Sequence, residues 1–201
     1  MKVLVTGAKG MLGQDLCPIL EDEDFDVIET DINTLDITNP TNIEDVLLKY
    51  NPDFVIHCAA YTNVDKAEED KETAFKINAQ GTKNLAELCK KMDITLVYIS
   101  TDYVFDGTKN GKYLAGDKTC PINVYGSSKL EGEKYVQECE KYYITRTSWL
   151  YGHHGKNFVE TMISLKDKEE IKVVDDQTGC PTWTVELSNG IVKILKKICP
   201  M

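Results

Sequence analysis

"KVLVTGAKGMLG", residues 2–13, runs from an apolar strand into a turn with glycines at 7, 10 and 13 and then into a helix from about Met11. The turn sits where a strand hands the chain to a helix. Glycine permits the tight backbone there and lets the main chain approach a ligand closely. The helix that follows presents free N–H groups and a partial positive charge to an anion. The same turn could serve only to pack strand against helix. Its place at the start of an alternating chain favours pyrophosphate binding.

Outward from this turn, strand-length apolar runs alternate with helix-period segments. "FDVIET" (25–30), "DFVIHCAA" (53–60), "ITLVYIS" (94–100) and "YYITRTS" (142–148) read as strands. "PTNIEDVLLKY" (40–50) reads as a helix. A long helix is expected over roughly 70–92, with Ala74, Ile77, Leu85 and Leu88 inward. Near-continuous apolar strands separated by helices predict an α/β fold, a doubly wound, Rossmann-like parallel sheet with helices on both faces. The loop 101–122 is long and polar, as functional loops often are. Residues 1–150 are expected to form the dinucleotide-binding domain, and 151–201 the start of a second, incomplete substrate-binding lobe.

Composition narrows the partners. The chain has 201 residues and a formal net charge of −10. An acidic surface opposes binding to a phosphate backbone, so no nucleic-acid partner is expected. No apolar run has the length of a bilayer span, and the N-terminus lacks the long apolar core of a signal peptide, so a cytoplasmic protein without membrane contact is expected. Seven cysteines without a CxxC pair read as reduced thiols, with no metal site. His57, on an apolar strand, reads as structural; His153 and His154 read as loop residues. "EDEDFD" (21–26) reads as a solvated turn.

The second strand ends at Asp31, where a carboxylate would accept hydrogen bonds from both ribose hydroxyls and repel a 2′-phosphate. Lys9, in the glycine turn, could instead reach such a phosphate. Both NADH and NADPH therefore stay open. Asp36 and Ile37 lie where a loop could line an adenine.

The fourth strand ends at Ser100 and Thr101, and "NVYGSSKLEGE" (123–133) follows the long loop. Tyr125 and Lys129, at i and i+4, share a helix face. A tyrosine with an ordinary pKa is a poor acid at neutral pH, and a neighbouring ammonium is expected to lower it. Tyr-x-x-x-Lys alone is common in plain helices. Behind a glycine turn and a Ser/Thr strand end, it has the order of the extended short-chain dehydrogenase/reductases.

The resemblance is closer than that. "YTNVDKAE" (61–68), "NAQGTKNLAELC" (78–89), "YISTDYVFDG" (98–107), "PINVYGSSKLEGE" (121–133), "RTSWLYG" (146–152) and "VVDDQTGCPTWT" (173–184) resemble the dTDP-4-dehydrorhamnose reductase family across essentially the whole chain. The resemblance implies dinucleotide contacts from Gly7, Gly10, Met11, Leu12 and Gly13, from Asp31, Asp36 and Ile37, and from Ala59, Ala60, Tyr61 and Thr62, with Tyr125 and Lys129. It implies Thr101, Tyr125 and Lys129 as catalytic residues. Thr101, Asp102, Trp149 and Asn157 would meet a dTDP-sugar. The implied reaction is NAD(P)H-dependent reduction of the C4 ketone of dTDP-4-dehydro-β-L-rhamnose to dTDP-L-rhamnose, without a metal.

Related dehydratases carry an acidic residue where this chain has Tyr103, and the "TDYVFDG" and "DDQTGCPTW" blocks fit an epimerase poorly. A non-catalytic binding subunit, like the reductase-like regulatory subunit of methionine adenosyltransferase, is the alternative from another class. Family members continue well beyond Met201. A substrate lobe cut short would expose apolar surface, so a homodimer is a further expectation.

Overall fold

The structure, a computed structural model, describes residues 1–198; Cys199 and the chain end at Met201 lie outside them. Strand β1 (Lys2–Thr6) leads into helix α1 (Met11–Asp22), then β2 (Asp26–Thr30), α2 (Pro40–Tyr50) and β3 (Phe54–His57). Two short helices, α3 (Val64–Glu69) and α4 (Lys71–Phe75), precede a π-helical segment Lys76–Gly81 and α5 (Thr82–Lys91). Then come β4 (Thr95–Thr101), a 3₁₀ turn Asp102–Val104, α6 (Val124–Val136), β5 (Tyr142–Thr147), β6 (Leu150–Tyr151), α7 (Phe158–Ser164), β7 (Thr182–Trp183) and α8 (Thr184–Ile198).

The five main strands form one parallel sheet in the order β2-β1-β3-β4-β5. Alternate residues of each strand face opposite layers. Val3, Val5, Phe54, Ile56 and Val97 pack with Leu12, Leu16 and Leu20 of α1 and with Ile191, Val192 and Leu195 of α8. Leu4, Val55, Leu96 and Tyr98 pack with α2, α5 and α6 through Ile43, Leu47, Leu85, Cys89 and Val136. Both faces are covered, as a parallel sheet requires. The strand order reverses between β1 and β3. The glycine turn after β1 and the Ala59–Thr62 segment after β3 therefore flank the crevice where doubly wound sheets take their ligands.

Two expectations are corrected. The third strand ends at His57 rather than reaching Ala60, because the chain turns out to line the crevice. The long helix over 70–92 is broken: Asp70 caps a new start by accepting from the Thr73 amide, and the π segment turns Asn78 inward. Helix α8 lies against α1 on the sheet face. What stands apart is 151–183. Helix α7 buries none of its residues, and 166–181 are exposed throughout. Among the described residues no helix is long and apolar enough to cross a membrane.

Candidate active site

The glycine turn is built for close approach. A Cβ added at Gly13 would lie 2.5 Å from both Ala8 Cα and Ala8 O. Gly7 has φ +67, and a Cβ there would fall 2.8 Å from Ala59 N. Gly10 stands at the N-cap of α1 with no side chain capping the helix, so the amides of its first turn remain available to an anion. This cradle fits a dinucleotide pyrophosphate.

Asp31 lies at the end of β2, where its carboxylate pairs with the Lys9 ammonium and accepts from the Asn33 amide at 3.0 Å. Lys9 and the local hydrogen bonds hold the Asp31 carboxyl below its usual range. The selector and the cation that would oppose it thus neutralise each other. Asp36 accepts from Thr38 N at 2.9 Å and Thr38 Oγ1 at 2.8 Å. Ile37 is 4% exposed and packs where a Gly81 Cβ would come within 2.8 Å of its Cδ1. Its side chain packs in the core with Leu35 and Ile43.

Across the crevice, Ala59 N donates to Thr6 Oγ1 at 3.2 Å. Asn78 holds Tyr61 from both sides: Oδ1 accepts from Tyr61 N at 2.8 Å and Nδ2 donates to Tyr61 O at 2.9 Å. The same Nδ2 donates to Ser128 Oγ at 3.0 Å, which ties the Ala60–Thr62 segment to α6. Thr62 is exposed at the edge of this segment. Asn78 escaped sequence reasoning. Its one signal was a polar residue on the inward face of an apolar helix.

Thr101 and Tyr125 meet at the C-terminal edge of the sheet. Gly126 makes this possible, since a Cβ there would lie 2.1 Å from the Tyr103 carbonyl oxygen. Asn123 caps α6 by accepting from Gly126 N at 2.7 Å. Thr101 Oγ1 donates to Asp102 Oδ1 at 3.1 Å and accepts from Tyr103 N at 3.2 Å. Burial pushes the Tyr125 phenol up to about 12, while the neighbouring Thr101 side chain pulls it down. Burial also raises the Asp102 carboxyl. Lys129 is 2% exposed, and burial draws it down to about 7.

The expected lowering of the Tyr125 phenol is corrected here: burial raises it. The Lys129 ammonium lies over the Tyr98 ring, 4.1 Å from its centre.

Trp149 adopts φ 47, an unusual backbone for a bulky residue, and is 43% exposed. Its indole rests on Gly179, where a Cβ would come within 2.7 Å of the ring. Strain of this kind gathers at binding sites. Asn157 is spent as a cap: Oδ1 accepts from Glu160 N at 3.0 Å and Nδ2 donates to Gly152 O at 2.8 Å. Thr147, the register partner of Thr101, carries the one buried side-chain oxygen without a hydrogen-bond partner among the described residues.

His57 is structural, as expected. Thr6 Oγ1 lies 2.8 Å from its Nδ1 and Thr82 Oγ1 3.1 Å from its Nε2. His154 approaches Asp15 of α1 at 3.5 Å, and the same carboxylate accepts from Thr184 of α8. The six cysteines described are all free.

The family described as the RmlD substrate binding domain matches residues 1–200. A dTDP-4-dehydrorhamnose reductase from Aggregatibacter actinomycetemcomitans is 40% identical over 200 residues, covering 98% of this chain and 68% of the relative. The chain belongs to the dTDP-4-dehydrorhamnose reductase family.

A dTDP-4-keto-6-deoxy-D-glucose reductase from Streptomyces niveus is 42% identical over 196 residues, covering 96% of this chain and 68% of the relative. The crystal structure of dTDP-4-dehydrorhamnose reductase from Bacillus anthracis in complex with NADP superposes with a TM-score of 0.94 at 47% identity, covering 96% of this chain and 70% of that one. The chain thus spans about two thirds of the length of these reductases. Within the reductase family frame, the cradle at Gly10, Thr101, Tyr125 and the buried Lys129 fall on one edge of one sheet.

Proposed function

We propose that the chain carries the dinucleotide-binding and catalytic part of an NAD(P)H-dependent reductase. Its substrate is dTDP-4-dehydro-β-L-rhamnose, and its product is dTDP-L-rhamnose. The observation that carries this reading is the seating of the first turn of α6, with Tyr125, against the turn after Thr101, where Gly126 closes on the Tyr103 carbonyl, at the sheet edge that also holds the glycine cradle.

A bound reduced nicotinamide supplies the hydride. The first-turn amides of α1 and the turn at Gly10 hold the pyrophosphate. Asp31 holds the adenine ribose, and Lys129 the nicotinamide ribose. The Thr101 hydroxyl turns from Asp102 to the C4 carbonyl oxygen. Tyr125, which keeps its proton at neutral pH, gives it to the developing alkoxide, and the Lys129 ammonium supports the phenolate left behind. Trp149 offers its indole face to the C–H side of the hexose. Residues 1–150 with 184–198 form the dinucleotide unit in this reading, and 151–183 begin the substrate lobe. The protein works in the cytoplasm, and a homodimer is the assembly to look for.

The deciding experiment follows oxidation of NADH and NADPH with and without dTDP-4-dehydro-β-L-rhamnose. Sugar-dependent oxidation that forms dTDP-L-rhamnose supports the reading. Cofactor binding without it points to the binding-subunit alternative. Given the name of the Streptomyces niveus relative, dTDP-4-keto-6-deoxy-D-glucose belongs in the same assay as the competing ketosugar.

A further inference from the structure

Tyr103 is the middle residue of the 3₁₀ turn that follows Thr101, and three of its groups reach the reducing site. Its amide donates to Thr101 Oγ1 at 3.2 Å. Its carbonyl oxygen is the atom on which α6 is seated, since a Cβ at Gly126 would lie 2.1 Å from it. Its ring meets the Tyr125 ring with 78° between the planes and 5.8 Å between the centres, the geometry of an edge-to-face pair. The turn behind these contacts is anchored. Phe105 N donates to Asp102 O at 2.9 Å, Cys120 N donates to Val104 O at 2.8 Å, and Val104 is fully buried.

A second set of contacts holds Tyr125. Its side chain packs against the cluster of Ala67, Ala74 and Val124, and Glu68 fixes the start of α6 by accepting from Val124 N at 2.7 Å. A phenol oxygen lies on the axis of χ2, so turning the ring about that bond does not move it. Its place is set by the helix backbone and by χ1. A helical tyrosine has two open wells for χ1, near 180° and near −60°. Tyr103 acts on both determinants. Its carbonyl fixes how close the first turn of α6 comes, and its ring favours the one well in which the two rings meet. An edge-to-face pair of this kind biases such a choice by about two- to tenfold.

We propose that Tyr103 is a positioning residue for proton delivery: its carbonyl seats the first turn of α6, and its ring holds Tyr125 in the χ1 rotamer that aims the phenol at the substrate's carbonyl oxygen. No proton or hydride passes through Tyr103. The inference rests on the role given to Tyr125 above.

The test reads χ1 of Tyr125 in the cofactor-free chain from its Hα–Hβ couplings, with the signals assigned through Tyr125→Phe. The native chain should show one rotamer. Tyr103→Leu keeps apolar bulk and removes the ring, so the couplings should average toward two rotamers. Tyr103→Phe keeps the ring and should restore one. Turnover should follow the same order. Tyr103→Leu should lower kcat by about two- to tenfold with the dissociation constant of the reduced nicotinamide unchanged, and Tyr103→Phe should recover it. The solvent deuterium isotope effect on kcat should rise in Tyr103→Leu as proton delivery slows, which a purely structural role would not produce. A single unmoved rotamer in folded Tyr103→Leu overturns the proposal. Averaging in Tyr103→Phe equal to that in Tyr103→Leu overturns it too, as does an undiminished kcat beside averaged couplings. Should Tyr103→Leu fail to fold, Tyr103→Met is read by the same criteria. A failed reductase assay leaves the couplings to decide alone, so the two readings fail separately.

Discussion

The Lys129 ammonium rests 4.1 Å from the centre of the Tyr98 ring, so a cation is buried against an aromatic face at the sheet edge. A group whose folded pKa is lowered to about 7 is charged below that pH and neutral above it. The free enzyme should therefore lose kcat/KM as pH rises through about 7. A pH–rate profile that stays flat from below 7 to well above it would contradict a charged Lys129 in the reaction.

Tyr125→Phe removes the phenol hydroxyl and leaves the ring. Cofactor affinity, read by titration of the reduced nicotinamide's fluorescence, should change little. Turnover should fall by about 10²–10⁴-fold. Unchanged turnover would sink the assignment of Tyr125.

Asp31 and Lys9 pair at the end of β2. Asp31→Ala should free the Lys9 ammonium for a 2′-phosphate and move the preference toward NADPH over NADH on the order of tenfold. Lys9→Ala should move it the opposite way. The dissociation constants of the two cofactors check both.

His57 is buried as a neutral imidazole and lowered to about 3 by burial, with Lys129 adding to the effect. The unfolded chain binds a proton at His57 below about 6.5 that the folded chain refuses until about 3. Stability is thus lost as pH falls through that window, by roughly a few kcal/mol. Urea unfolding should show this acid slope in the native chain and a shallower one in His57→Gln. Equal slopes would remove His57 from the account.

Gly126→Ala drives a Cβ into the Tyr103 carbonyl. The helix must lift away from the 3₁₀ turn, at a cost of about 1–3 kcal/mol. A lowered Tm with weakened turnover is expected; an unchanged Tm would mean that α6 does not need this approach.

Much of this was readable before any coordinates. Apolar strands such as Phe54–His57 announce a sheet covered on both faces, and the glycines after β1 mark the crevice. Thr101, Tyr125 and Lys129 were legible because chain order and helix spacing bring them together. The rest hangs on distant partners. Asn78 enters through a π segment whose sequence has ordinary helical spacing. The buried Glu133 carboxylate accepts from Ser100 and Arg146, which only β4–β5 pairing brings side by side. Helix α7, seven residues long, and the two-residue strands β6 and β7 escaped notice because each is too short to set up a period that stands out from its surroundings. Spacing suggests a lowered Tyr125 phenol but does not report the burial that raises it.

Helix α8 closes the hydrophobic layer that α1 opens, with Ile191, Val192 and Leu195 packed against the layer of Leu12, Leu16 and Leu20. During synthesis α1 therefore leaves the ribosome long before the helix that covers its layer. Its apolar stripe stays uncovered until α8 has been made. Contacts of such sequence separation form slowly, so this half of the sheet is where a nascent chain would most need a chaperone.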